Sequence, residues 1–174
     1  MKLAICGEGR SGKDTASLWL RDNTSLRYVE STSEAAAKIC YDALKNTYGY
    51  NTVQEAFDDR HNHREEWAEV IWGFNQPDGL TLYREMAKTS DVLNGIRRPH
   101  ELTACMGAGV VDLAIYVDRH GIPDDPSNEI MPGDCDIVLP NYGDLDDLYE
   151  RLENLSRCLG IMGGSTDGHR PGVA

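Results

Sequence analysis

Short apolar runs alternate along the chain with longer segments in which apolar residues recur every three or four positions. Short runs of this kind are typical of buried strands, and the longer segments are typical of amphipathic helices. The pattern predicts strands at residues 3–6, 27–30, 91–95, 110–118 and 136–139. Strands alternating with helices indicate an α/β protein with a mostly parallel sheet, about five-stranded and covered on both faces.

A mostly helical stretch, residues 34–88, separates the second and third predicted strands. Ser31 and Glu34 have the spacing of a capping box at its start. A last amphipathic helix follows Asp144, and a glycine-rich segment comes after it. We therefore predict a single domain over residues 1–160 with a helical insertion between strands 2 and 3, followed by a flexible tail over residues 161–174.

The first strand leads directly into a glycine-rich turn and then into a helix. The turn is Gly7-Glu8-Gly9-Arg10-Ser11-Gly12-Lys13-Asp14-Thr15. Glycines let the backbone curl around an anion with its N–H groups pointing inward, and the helix adds its positive dipole end. The strand–turn–helix context predicts a phosphate-binding loop in which Lys13 reaches the outer phosphates. The expected nucleotide-binding residues are Gly7, Gly9, Arg10, Ser11, Gly12, Lys13, Asp14 and Thr15.

The residue after Lys13 departs from the usual pattern of such loops, which have Ser or Thr there as a magnesium ligand. Asp14 occupies this position and Thr15 follows it. Either Asp14 contacts Mg²⁺, directly or through water, or Thr15 is displaced into that role. Both residues are therefore candidate metal ligands.

Two adjacent arginines, Arg97 and Arg98, follow the third predicted strand, at the same edge of a parallel sheet as the phosphate loop. Guanidinium groups bind phosphate in a planar, bidentate way. Arg60, Arg64 and Arg84 lie in the helical insertion and are candidates to bind the anion of a second substrate. The alternative is a salt-bridged helix surface, since acidic residues flank Arg60 and Arg64.

Two further candidates follow the last two predicted strands. Arg119 opens a proline-rich loop where a lid would deliver a cation to a transferring phosphoryl group, although a plain surface arginine is an equal alternative. Asn141 follows the last strand and is placed to line a base pocket, unless it only forms a tight turn.

Net charge and composition limit the classes of partner that the chain can bind. The formal net charge of −12 disfavours a nucleic-acid polymer, whereas a small anion needs only a local positive pocket. The sequence has no apolar run near the roughly 20 residues that span a bilayer and no secretory signal. Five scattered cysteines without close pairs favour a reducing compartment. We expect a cytoplasmic protein without membrane or polymer partners, and a homodimer stays open.

The chain resembles the P-loop nucleoside monophosphate kinases, and especially the deoxynucleoside monophosphate kinase-like proteins of bacteriophages. The phosphate loop carries the resemblance, together with two further segments. They are Asn94-Gly95-Ile96-Arg97-Arg98-Pro99-His100-Glu101 and Asp136-Ile137-Val138-Leu139-Pro140-Asn141-Tyr142-Gly143-Asp144-Leu145, the latter with the leucine-containing helix that follows it. The resemblance implies a three-layer α/β/α P-loop NTPase fold, ATP and Mg²⁺ as cofactors, and a nucleotide monophosphate as acceptor. By position it assigns ATP and its metal to Gly7, Gly12, Lys13, Asp14 and Thr15, and it places Arg97 in the acceptor-side turn, while Arg119 matches the lid arginine only loosely. We expect Lys13, Arg97 and Arg119 to be the catalytic residues.

The expected function is ATP-dependent phosphoryl transfer to a nucleoside or deoxynucleoside monophosphate, with Arg60, Arg64, Arg84 and Arg98 binding the acceptor. Asn94 stands where the family often has an acidic residue, and the loop after Asp118 carries only Arg119 as a strong cation. These departures leave two alternatives open. One is a P-loop nucleotide-binding regulatory protein or ATPase without kinase activity, and the other is a kinase for a non-nucleotide phosphate acceptor.

Overall fold

The computed structural model describes residues 1–163, and its centre is a parallel sheet. Within these residues the sheet has four strands, in the order β2-β1-β3-β4. They are β1 Leu3–Cys6, β2 Val92–Asn94, β3 Leu113–Asp118 and β4 Ile137–Pro140. In β1, Leu3 lies opposite Val92 of β2 and Leu113 of β3. The carboxyl ends of all four strands therefore meet at one edge.

Helices form where the spacing of apolar residues and the capping residues predict them. They are α1 Lys13–Asn23, α2 Thr32–Tyr48, α3 Val53–Asp59, α4 Arg64–Phe74, α5 Thr81–Thr89, α6 Pro99–Gly107 and α7 Leu145–Cys158, with a short 3₁₀ helix at Pro132–Asp134. The predicted capping box of Ser31 and Glu34 is confirmed at the start of α2. Asp144 caps α7 through the Asp147 N–H. These caps satisfy backbone groups that have no partner inside the helix.

Both faces of the sheet are covered. On one face, Leu20 of α1 and Leu152 of α7 pack in one cluster with Ile5 of β1. On the other face, Leu102 of α6 packs in a cluster with Leu93 of β2. The side chains of neighbouring residues in a strand point to opposite faces, so one short buried strand supports both clusters. The prediction of an α/β protein with a covered parallel sheet is confirmed.

The helical insertion, α2–α5, has its own small core around Cys40, Ala56 and Trp67. It lies between α1 and β2 in the chain, because the predicted second strand does not form.

The predicted strand at residues 27–30 is wrong, and within residues 1–163 the sheet has four strands rather than about five. The Arg27 carbonyl accepts hydrogen bonds from both the Asp91 and Val92 N–H groups, at 2.7 and 3.2 Å. The next described pairing with β2 is an isolated bridge between Ser31 and Asn94. Val29 is 58% exposed, so no alternating apolar face holds the segment on the sheet. The segment follows the sheet edge without joining its hydrogen-bond ladder.

The first residue of the predicted tail packs against the domain. Ile161 is buried in the cluster of α1 and α7, and its carbonyl accepts the Ser25 N–H at 3.0 Å. The rest of the predicted tail, from residue 164, lies outside the described residues. Of the helices in residues 1–163, none has the length and apolar character needed to cross a membrane.

Candidate functional site

The phosphate loop follows β1 as predicted, and its backbone turns through conformations that favour glycine. Gly7 and Gly12 have φ angles of 141° and 102°. A Cβ on Gly7 would come within 2.6 Å of the Val117 carbonyl oxygen, and a Cβ on Gly12 within 2.6 Å of Asn141 Nδ2. Arg10 has a positive φ of 65°, which is uncommon for a residue with a side chain. The loop is therefore tightly constrained by the strand ends around it.

The first turn of α1 presents backbone N–H groups without a side-chain cap. Gly12 is the N-cap residue, and it has no side chain that could accept a hydrogen bond from the first N–H groups of the helix. The first N–H groups of a helix have no partner within the helix, and together with the dipole they form a site for an anion. Ser11 is fully buried beside them, and its hydroxyl has no hydrogen-bond partner among residues 1–163. Uncapped donors and an unpartnered hydroxyl fit a phosphate group.

Lys13 folds back over this loop. Its Nζ donates to the Glu8 carbonyl oxygen at 2.6 Å. Burial lowers the pKa of Lys13, and the nearby Arg97 guanidinium lowers it further, while Asp14 opposes both effects. A partly buried ammonium group next to another cation is stabilised by an incoming anion. Lys13 thus lies over the loop that the sequence predicts to bind phosphate, and that role stays a prediction.

Asp14 is exposed on the first turn of α1, where Asn94 at the end of β2 holds it. Asn94 Nδ2 donates to Asp14 Oδ1 at 2.7 Å, and Asn94 itself is buried. Thr15 is half-buried next to Asp14. Residues 1–163 contain no cluster of three or more His, Cys, Asp or Glu side chains that could hold a metal ion. A Mg²⁺ ion at this place would take phosphate oxygens and water besides Asp14 or Thr15, as is usual for this ion.

A cavity of about 650 Å³ is lined by most of the predicted acceptor residues. No residue of the phosphate loop lines it, but Asp125 does, and a Cβ on Gly9 of that loop would come within 3.2 Å of the Asp125 carboxylate. Arg60 and Arg64 reach it from the insertion, and Arg97 and Arg98 from the end of β2. Arg84 does not line it: its guanidinium pairs with Asp78 at 2.5 Å. Asp78 lies just before the start of α5 and itself lines the cavity. The ion pair therefore holds the Arg84 guanidinium at the cavity rim.

Three of the cavity's arginines lie close to one another. Burial lowers the pKa of Arg60, the charge of Asp58 opposes this effect, and the positive charges of Arg97 and Arg64 lower the pKa further. Arg60 is held in place by Phe57, whose ring lies 3.8 Å from the guanidinium carbon and whose carbonyl oxygen accepts from Nη1 at 2.5 Å. Converging guanidinium groups repel one another, and an anion between them removes that repulsion.

Two tryptophans of α4 also line the cavity, and neither was predicted as a site residue. Trp67 is buried in the core of the insertion and also borders the cavity. Trp72 is 69% exposed and was not predicted as a site residue. The available signal was the spacing of Arg64, Ala68 and Trp72, four residues apart, which places them on one helix face.

The proline-rich loop after β3 lies against the phosphate loop, and the residues involved were not predicted. Glu8 Oε2 accepts the Asp125 N–H, and Glu8 Oε1 accepts from Asn128 Nδ2, both at 2.8 Å. The Asp125 carboxylate reaches the cavity and lies 3.4 Å from Arg97 Nη1. Arg119 at the start of this loop is exposed and does not line the cavity.

Asn141 supports the phosphate loop instead of lining an open base pocket. Its Nδ2 donates to the Ser11 carbonyl oxygen at 2.7 Å, and its backbone N–H donates to the Asp118 carbonyl oxygen at 2.6 Å. The side chain is buried. Strand β4 thus anchors the turn that begins at the end of β1.

We compared the sequence with models of known protein families and with curated proteins, and neither comparison gave a match.

Proposed function

We propose that this chain transfers a phosphoryl group from ATP to a nucleoside or deoxynucleoside monophosphate, as a member of the P-loop kinases. The observation that carries the proposal is a line of cations in an acidic chain. Lys13 lies on the phosphate loop, Arg60 and Arg64 lie in the cavity, and Arg97 is near both. Lys13 would bind one phosphate-bearing substrate, Arg60 and Arg64 would bind the other, and Arg97 would lie between the two. This arrangement suits phosphoryl transfer.

The donor side is formed by the phosphate loop. The uncapped N–H groups at the start of α1 and the Lys13 ammonium group would hold the phosphates of ATP, with Asp14 or Thr15 on the side of Mg²⁺. ATP supplies the phosphoryl group, and Mg²⁺ neutralises part of the charge on its phosphates. Asn94 keeps the Asp14 carboxylate oriented in a way that a second carboxylate at this position would disturb by repulsion.

The acceptor side is formed by the cavity. Its volume, about 650 Å³, is in the range of small-molecule sites. Arg60 and Arg64 would bind the acceptor phosphate, while Trp67 and Trp72 offer aromatic surface to a base. An oxygen of the acceptor phosphate forms the new bond to phosphorus as the bond from that phosphorus to the ADP oxygen breaks. Arg97 stabilises the charge on the transferred group, and Arg119 joins it if its loop moves.

An assay of label transfer tests the proposal. The protein is incubated with Mg²⁺, ATP labelled in its terminal phosphoryl group, and one member at a time of a panel of nucleoside and deoxynucleoside monophosphates. We expect the label in the diphosphate of at least one acceptor. Label in inorganic phosphate alone, independent of the acceptor, would instead support the ATPase alternative, which the single arginine of the 119–131 loop favours.

Replacing Lys13 with Ala is expected to lower transfer by at least about a hundredfold, because one preorganised cation at the developing charge is lost. The fold should persist, since the Lys13 Nζ bonds only to a loop carbonyl among the described residues. Lys45→Ala is the matched control, because that lysine pairs with Asp42 on the exposed side of α2. Undiminished transfer by Lys13→Ala with an intact circular-dichroism spectrum would refute the assignment.

A further inference from the structure

One carboxylate of the phosphate loop binds the loop that follows β3. Both Glu8 side-chain oxygens are used, one by the Asp125 N–H and one by Asn128 Nδ2, each at 2.8 Å. A second connection joins the Arg97 carbonyl oxygen to the Glu129 N–H at 2.8 Å. The segment 125–129 is therefore held against the site at both ends.

The Asp125 carboxylate lies directly beside the phosphate loop. A Cβ built on Gly9 would come within 3.2 Å of Asp125 Oδ2. Hydrogen bonds from Ser127 lower the pKa of Asp125, and the charges of Arg97 and Lys13 lower it further. The group is thus negatively charged at neutral pH and interacts with the two cations that the proposed function assigns to phosphate.

The negative charge of Asp125 would repel a triphosphate bound at the phosphate loop, where binding requires positive charge. Asp125 occupies Arg97, and its charge is close enough to Lys13 to affect that residue's pKa. Like charges at such short range disfavour simultaneous binding. Either the donor binds weakly or the loop moves away and takes Asp125 with it.

We propose that Glu8 and Asp125 form an acidic latch that holds the 119–131 loop over the phosphate loop, so that binding of a triphosphate requires the latch to open. This inference rests on the proposed function, because the competing ligand is the phosphate tail of the donor. The latch sets donor affinity: the fraction of molecules with the loop displaced scales the apparent dissociation constant. Opening would also release Arg97 for the transferred group.

The test is calorimetric titration of Mg·ATP, and separately of inorganic tripolyphosphate, into the wild type and two neighbouring variants. Asp125→Asn keeps the shape and removes the charge, so we expect about five- to fiftyfold tighter binding of both ligands. Asp124→Asn removes an equal charge from the adjacent exposed residue and should leave affinity nearly unchanged.

Hydrogen exchange gives a readout independent of affinity. In the wild type the Asp125 amide is bonded to Glu8, so we expect Mg·ATP to speed its exchange as the latch opens. Glu8→Gln, which weakens the acceptor, should raise the exchange rate without any ligand.

Four results would overturn the latch. Equal affinity of the wild type and Asp125→Asn would refute it while leaving the proposed function standing, and weaker binding by Asp125→Asn would mean that the residue holds the donor. Equal tightening by Asp124→Asn would attribute the effect to general charge. Absence of binding in every variant would overturn both the latch and the proposed function.

Discussion

At the scale of single residues, the site depends on side chains that hold the phosphate loop from outside it. Asn141 directly follows β4 and Asn94 ends β2, and their side-chain amides donate hydrogen bonds to the Ser11 carbonyl oxygen and the Asp14 carboxylate. Each amide can affect ligand binding without contacting the ligand, because it fixes the orientation of a neighbouring group in the proposed phosphate site. The Asn141 amide is the costlier of the two to remove, since the buried Ser11 carbonyl would lose its hydrogen bond without gaining water.

Asn141→Ala tests this role. The buried Ser11 carbonyl loses its donor, so we expect unfolding to become easier by about 1–3 kcal/mol. Mg·ATP should also bind more weakly, because the turn before Lys13 loosens. Asn23→Ala is the control, since its Nδ2 donates to the Trp19 carbonyl at an exposed helix end. Equal losses of stability in the two variants, measured by urea denaturation, would contradict the bracing role of Asn141.

At the scale of elements, the sequence predicted the parts whose signals are local. Glycine spacing after β1 gave the phosphate loop, and the Ser31–Glu34 spacing gave the start of α2. What it missed depends on contacts between distant segments. Residues 27–30 contain the adjacent apolar pair Tyr28-Val29, which resembles a short strand, but Val29 faces solvent. The polar 119–131 loop has no periodicity, so nothing local predicts that Asp125 meets Glu8, 117 residues away.

Contacts between segments far apart in the sequence also explain why four of the predicted acceptor-side arginines line the cavity and one does not. Arg60, Arg64, Arg97 and Arg98 were predicted at separate places, and the fold brings them to one cavity. Arg84 has the same chemistry but meets Asp78 at the rim. Only the folded chain decides which guanidinium group a nearby carboxylate occupies.

The extended segment at residues 27–30 yields a stability prediction. One Asp91 carboxylate oxygen lies 2.8 Å from Arg27 Nε, and the other lies 2.8 Å from Lys2 Nζ. These two cations, Arg27 above all, keep the pKa of Asp91 well below its usual value. Asp91→Asn should therefore destabilise the fold by about 2 kcal/mol at pH 7. Asp22→Asn should cost less than about 0.5 kcal/mol, because the Arg21–Asp22 pair is exposed.

The pH dependence of this difference has a definite sign. A carboxyl with a depressed pKa contributes its full stability above its unfolded-state pKa, about 4, and loses it as pH falls through the folded-state value. The difference between wild type and Asp91→Asn should thus be constant near neutral pH and shrink below about pH 4. Thermal unfolding of both proteins across this range checks it, and a difference that grows on acidification would contradict the assignment.

At the scale of the whole molecule, the charge distribution matters more than the net charge. The chain carries a formal charge of −12, yet Lys13, Arg97, Arg60 and Arg64 lie together at the loop and the cavity. Such a distribution repels extended polyanions and admits small ones. The central claim is that the phosphate loop and the cavity form one continuous site for two phosphate-bearing substrates.

The most direct test is calorimetric titration with two nucleosides joined by a pentaphosphate chain, adenosine at one end and each common deoxynucleoside in turn at the other. With Mg²⁺ present, we predict that at least one such compound binds about a hundredfold tighter than ATP, because one molecule fills both halves of the site. Substituting Arg60 and Arg64 with Ala should remove this gain and leave ATP affinity unchanged. If no bridged compound binds tighter than ATP, the loop and the cavity do not form a joint site, and the account is contradicted.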